Sequence, residues 1–190
     1  MEGQNLAEHF GKTIIDLAKA SILHTLQTGA PLKKLPGDLP PELSEVGASF
    51  VTLHKKGGLR GCIGSPTAWR PLAVDILENA FSAAFRDPRF GPVSNEEWSE
   101  IALSVSILTP PKPMQLHDQA DLLAQLRPGI DGLIIEDMGK RALFLPAVWS
   151  QLPKPEVFLA HLKRKAGMAV DHWSENFVAQ RFEAVEIENH

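Results

Sequence analysis

Tyrosine is absent from this sequence, cysteine occurs once, and 19 Lys and Arg face 23 Asp and Glu, for a net charge of −4. Each shortage excludes something. A lone cysteine rules out an intrachain disulfide framework, a cysteine-rich zinc site and the three-cysteine cluster of a radical-SAM enzyme. An acidic chain without tyrosine is a poor candidate for a base-stacking RNA sheet, so nucleic acid is disfavoured as a partner. No stretch approaches roughly 18 consecutive apolar residues, so no membrane span is expected. The seven histidines form no H-x-x-x-H pair, and P-loop, G-x-G-x-x-G and G-x-S-x-G motifs are all missing. No metal and no cofactor is therefore assigned. The N-terminus "MEGQNLAEHFGKTIIDLAKA" is acidic and amphipathic, unlike a signal peptide. With a single thiol, which fits a reducing compartment, this places the protein in the cytoplasm as an expectation.

What remains is ordinary for a globular chain: 44% apolar and 22% charged residues over 190 positions, enough for one core or two small lobes. Leu6, Phe10, Ile14 and Leu17 recur at helical spacing behind an Asn5–Glu8 capping pattern, and Gly29 and Pro31 end the helix. A proline-rich connection leads to "ASFVTLH", a strand, with "LRGCI" returning beside it. "RPLAVDILENAFSAAF" reads as a buried helix closed before Asp87-Pro88. Ser94 and Glu97 form a second capping box. "IALSVSILT" alternates as a strand with Ile101, Leu103, Val105 and Ile107 on its buried face. After the break "PPKP" come a short helix over 118–126, a hairpin of "GLIIE" and "ALFLP" with a turn longer than two residues, a helix from Pro155 to Ala166, and "RFEAVEIE" as one closing strand. Helices and strands mix without βαβ spacing, which predicts an α+β fold with a mostly antiparallel sheet. The break marks a smaller lobe at about 113–170, with the alternative that the final strand returns to the first sheet.

The densest chemistry lies in "HKKGGLRGCIGS", His54 to Ser65. A primed turn at Gly57-Gly58 would pair Lys55 with Arg60 and Leu53 with Cys62, leaving His54 on the opposite face as a poor base for Cys62 unless a bulge shifts the register. Like charges paired across strands ask for a neutralising acid, phosphate or substrate carboxylate. Gly61 and Gly64 leave room for a ligand or another backbone to approach. Arg60, Cys62, Gly61, Gly64 and Lys55 thus outline an anion-accepting pocket, with Cys62 as candidate nucleophile if a cation stabilises its thiolate. Asp87 and Arg89 of "RDPRF" are added: Asp87 as a carboxylate to orient Arg60 or act as a base, against the plainer reading of an Asp-Pro helix stop. "KRK" at Lys163–Lys165 reads as cations favoured at a helix C-terminus rather than as a phosphate site. The four tryptophans, at element ends, read as core or cleft lining.

"GASFVTLHKKGGLRGCIGS", followed by "DPRF", "LSVSILTP", "GIDGLIIE", "LFLPAVW", "FLAHLKRKAG" and "FEAVEI" in that order, resembles the AMMECR-one domain family, whose signature "LRGCIG" stands here unsubstituted. The likeness covers almost the whole chain as a single domain. It implies two α+β lobes with the signature near the cleft between them, and association with Memo-like and radical-SAM-like proteins. It brings no reaction with it. Three functions are expected to compete: binding of a small anionic ligand in that cleft, with or without thiol chemistry; an accessory role beside those partners; and, least favoured, nucleic-acid association.

Overall fold

A computed structural model describes residues 3–188 of the chain. Helix α1, Gly3–Thr28, ends where Gly29 takes a φ of 73° and donates its N–H to the Thr25 carbonyl at 2.8 Å, a left-handed cap suited to glycine. It starts earlier than the Asn5–Glu8 pattern predicts, so Asn5 lies inside the helix rather than capping it. The proline-rich connection holds a single 3₁₀ turn, Pro41–Ser44. Then follow β1 (Val46–Gly47), β2 (Ser49–Lys55), β3 (Gly58–Gly64), β4 (Arg70–Pro71), α2 (Leu72–Phe85), α3 (Asn95–Trp98) and β5 (Ile101–Leu108). Further along come β6 (Lys112–Pro113), α4 (Gln119–Gln125), β7 (Gly132–Asp137), β8 (Lys140–Phe144), α5 (Pro155–Lys165), β9 (Val178–Phe182) and β10 (Ala184–Glu188). The class is α+β, with antiparallel pairing of β2 to β3 and β5, and of β7 to β8 and β9.

The chain divides into two compact units: one runs to Leu108 and takes the chain back from Val185, the other is Thr109–Ala184. The second unit is therefore wider than 113–170. In the first, the sheet order is β10-β5-β2-β3. Val51, Leu53, Leu103, Val105 and Ile107 point into one core with Ile14, Leu17 and Ile22 of α1 and Ala73, Ile76 and Ala80 of α2. Alanine at the contact positions of α2 lets that helix sit close on the strands, and burial of this many aliphatic side chains is the main stabilising term. In the second unit, order β6-β9-β7-β8, Leu133 and Ile135 pack with Leu122 of α4 and Phe158, Leu159 and Leu162 of α5. Trp149 stacks on Phe158 with ring centroids 3.8 Å apart.

Two sequence expectations about strands need correction. "RFEAVEIE" is not one strand: β9 and β10 belong to different sheets, and the chain changes sheet at Glu183. Alternation looks the same on either side of such a break, so pattern alone does not reveal it. The β7–β8 turn is not long either; Asp137 pairs with Lys140 across Met138-Gly139, whose φ values of 51° and 71° make a two-residue primed turn.

Candidate functional site

The β2–β3 hairpin is built the same way. Its two turn residues are Lys56 and Gly57, with φ of 53° and 79°, not Gly57-Gly58. Lys55 therefore pairs with Gly58 and His54 with Leu59, after which the register shifts so that Leu53 pairs with Gly61 and Thr52 with Cys62. Arg60 is the extra residue of a β-bulge. The expected direct pairing of Lys55 with Arg60 is thus absent, and Cys62 faces Thr52 rather than Leu53. Because strand side chains alternate, this one-residue difference flips the faces. Leu53 turns into the core, while Cys62, Thr52 and His54 share the other face.

Both glycines of the signature are filled by protein. A Cβ on Gly61 would lie 2.2 Å from the Ala83 carbonyl oxygen, so this glycine admits the backbone of α2. One on Gly64 would lie 2.1 Å from Cγ of Phe50, its cross-strand partner. Close approach is the purpose of both, and the approaching atoms are the protein's own.

Cys62 is partly buried, and its sulfur accepts a hydrogen bond from Thr52 Oγ1 at 3.4 Å. β3 is an edge strand, and the segment after α2 closes that edge. The Cys62 N–H donates to Asp87 Oδ2 at 2.9 Å, and Arg89 Nη2 donates to the Cys62 carbonyl at 3.2 Å. Arg89 also binds Asp87 through Nε (2.9 Å) and Nη2 (2.7 Å). The Arg89 guanidinium, seconded by the Cys62 and Arg89 amides, holds the Asp87 carboxyl well below the usual carboxylate range despite burial. Asp87 raises Arg89 in turn. Charged side chains over an exposed strand edge block pairing with another chain. Asp87 accordingly does not orient Arg60.

Glu97 does, a residue absent from the sequence-derived set. Arg60 meets its carboxylate with Nε at 3.2 Å and Nη2 at 2.5 Å, a bidentate fork, while Nη2 also reaches the Gly91 carbonyl at 2.9 Å. Lys55 Nζ joins the same carboxylate at 3.1 Å, and the Ser94 N–H donates to it at 3.2 Å. Arg60 first, then Lys55 and the Ser94 amide, depress Glu97 from 4.5 to about 2. Lys55 and Arg60 are thus neutralised together by an acid from α3, one of the three neutralisers the sequence asks for. The Ser94–Glu97 capping box was the visible signal, and it forms as predicted. One group stays unmatched: Arg60 Nη1 is buried with no hydrogen-bond partner among the described residues. Four cations here (Lys55, Lys56, Arg60, Arg89) pair with three carboxylates (Asp87, Glu97, Glu100), and Glu96 stands beside Glu97 in the same turn of α3.

The far end of the signature strand is pinned by Asp75, fully buried in the first turn of α2. Its carboxylate accepts from Ser49 N–H (2.8 Å) and Oγ (2.7 Å), Ser65 Oγ (2.5 Å), Arg70 Nε (2.8 Å) and Asn79 Nδ2 (2.9 Å). A buried charge so surrounded is a structural anchor. Asp75 and Asn79, at i and i+4 among the otherwise apolar buried positions of α2, were its trace in the sequence. Trp69, expected to line a core or cleft, is instead 68% exposed over Arg70.

In the second unit Lys163, the first cation of "KRK", is fully buried. It donates to Gln119 Oε1 (2.5 Å), Val170 O (3.2 Å) and His172 O (2.6 Å). Burial lowers its pKa. It ties the chain after α5 to that helix, a role beyond the helix-end electrostatics read from the sequence. Among the described residues, no group of three His, Cys, Asp or Glu side chains is placed to hold a metal ion, and no helix is long and apolar enough to cross a membrane.

A family model described as AMMECR1 matches residues 15–187. A protein of Methanothermobacter thermautotrophicus is 42% identical over 167 residues, covering 87% of this chain and 86% of its own length. One of Methanopyrus kandleri is 34% identical over 200 residues, covering 98% and 94%. Among solved structures, the uncharacterized protein PH0010 of Pyrococcus horikoshii superposes with a TM-score of 0.86 at 36% identity, covering 93% of this chain and 90% of its own.

Proposed function

The chain belongs to the AMMECR1 family, and on that footing we propose that its signature strand binds a small anionic group, a phosphate or carboxylate, through Arg60, with Cys62 two residues further along the same strand. The observation that carries this reading is Arg60 Nη1. A buried guanidinium nitrogen without an acceptor costs about 1–3 kcal/mol, and an incoming oxyanion supplies the acceptor it lacks. Glu97 holds Nε and Nη2 in a fixed fork, so a ligand reaches Nη1 only when the groups that cover it part. Cys62 then lines the site as a thiol whose sulfur already receives the Thr52 hydroxyl. Nucleophilic use of that thiol is the enzyme form of the proposal; a purely binding site is the other.

The test is alkylation of Cys62 by iodoacetamide across pH, in the presence of phosphate, pyrophosphate, acetate or citrate. Protection of the thiol by one of these anions, lost in Arg60→Ala, is expected. No protection by any of them at millimolar concentration overturns the proposal. Slow labelling with an ordinary thiol titration removes the enzyme form alone.

A second reading, the accessory role with Memo-like and radical-SAM-like proteins, draws on Trp69. A tryptophan 68% exposed over an arginine, just beyond the signature strand, is the residue pair that dominates many interfaces. Co-expression with such proteins, with Trp69→Ala weakening any complex, tests it; failure of a complex to form sinks it.

A further inference from the structure

The two edges of the first unit's sheet are treated differently. β3 is closed by Asp87 and Arg89 on the backbone of Cys62. β10, at the opposite end of the order β10-β5-β2-β3, has a strand neighbour on one side only among the described residues. Beside it lies an open groove of 730 Å³ between α1 and β10. Its floor is small and apolar: Ala7, Gly11 and Ile15 from successive turns of α1, with Ile187 from the strand. Gly11 brings the helix down onto Ile187, to which an added Cβ would stand 3.4 Å away. The surroundings are mostly acidic. Lys12 pairs with Asp16 and Glu8 lies on α1, while Glu186 and Glu188 alternate to the far face of β10, where Glu186 accepts from Ser104 Oγ at 2.8 Å; Lys19 is the remaining cation of the lining.

A sheet edge flanked by a helix, with space between them, is the arrangement in which an extended peptide adds as a further strand. Main-chain hydrogen bonds supply the affinity, and alternate side chains supply the specificity. We propose that β10 receives an extended segment of a partner protein as a fifth strand of this sheet, and that the segment alternates apolar residues with Lys or Arg. Its apolar positions fall on the α1 side with Ile187, over the Ala7–Gly11–Ile15 floor. Its cationic positions fall on the other face, where Glu186 and Glu188 point by alternation along β10. A second copy of this chain is the poorer occupant, because β10 laid against β10 sets Glu186 and Glu188 beside their own like charges.

A random peptide library displayed on phage and selected against the intact protein tests this. Enriched sequences are expected to alternate Lys or Arg with apolar residues. A synthetic copy of the winner is expected to protect the amides of 184–188 from hydrogen exchange. N-methylation of alternate residues blocks edge hydrogen bonding in one phase only, so one phase abolishes binding and the other spares it. The double variant Glu186→Lys, Glu188→Lys reverses the two exposed carboxylates that the cationic positions face and is expected to weaken binding about tenfold. Failure to enrich any such peptide overturns the proposal. So does protection mapping away from β10, or equal loss with both N-methyl phases. Concentration-dependent dimerisation abolished by the same double variant would instead identify a second copy as the occupant and also overturn it.

Discussion

Replacing Glu97 by glutamine tests the heart of the site. The carboxylate, 16% exposed, receives the Arg60 fork at 3.2 and 2.5 Å and Lys55 at 3.1 Å. Its depression from 4.5 to about 2, chiefly by Arg60, is equivalent to about 3 kcal/mol, which screening at a partly wet site cuts to about 1–2 kcal/mol. The folded pKa lies below the unfolded one, so this stabilisation is whole above about pH 4.5 and is lost as pH falls toward 2. Glutamine keeps an oxygen for Arg60 and Ser94 but removes the charge, leaving Arg60 and Lys55 together without a shared counterion. At pH 7, Glu97→Gln should therefore lower stability by about 1–2 kcal/mol, several degrees in Tm. Urea unfolding followed by tryptophan fluorescence over a pH series measures it. The gap between the two proteins should close as pH falls from 4.5 toward 2, where the wild-type side chain is itself becoming neutral. A loss under about 0.5 kcal/mol, or a gap that does not change with pH, would refute the assigned ion pairing.

Gly61→Ala forces a methyl against the α2 backbone and should cost about 2–3 kcal/mol by chemical denaturation; a neutral result would mean the helix is free to move away. Gly64→Ala collides with a side chain instead, so it should destabilise the wild type yet be nearly neutral in a Phe50→Ala background, a non-additivity visible in a double-mutant cycle. Lys163→Met removes the donor shared by three acceptors, and should lose about 2–4 kcal/mol and speed hydrogen exchange over 167–173. Met138, 78% exposed with φ of 51°, should be improved by Asn, which tolerates that conformation; Met138→Asn is expected to raise stability by about 0.5–1 kcal/mol in a thermal melt.

Element types and ends could be read from the chain because their causes are local. The alternation of Ile101 to Ile107 reports one buried face, and Gly29, Asp87-Pro88 and Gly167 stop helices through backbone conformations set by one or two residues. The Ser94–Glu97 box is equally local. The register of β2 on β3 was not readable: it turns on Lys56 adopting a left-handed conformation in place of Gly58, and on a bulge that then absorbs Arg60. That small choice decides which face Cys62 occupies.

By itself the sequence determined that helices and strands alternate as they do, and that a thiol, a guanidinium and two glycines share one strand. Only the tertiary structure decided their use. Glu97 reaches Arg60 across 37 positions, Asp87 reaches Cys62 across 25, and the space of both glycines is taken by Ala83 and Phe50. Patterns within a few residues encode period and caps, whereas ion-pair partners, sheet edges and close contacts depend on which distant segments the core brings together.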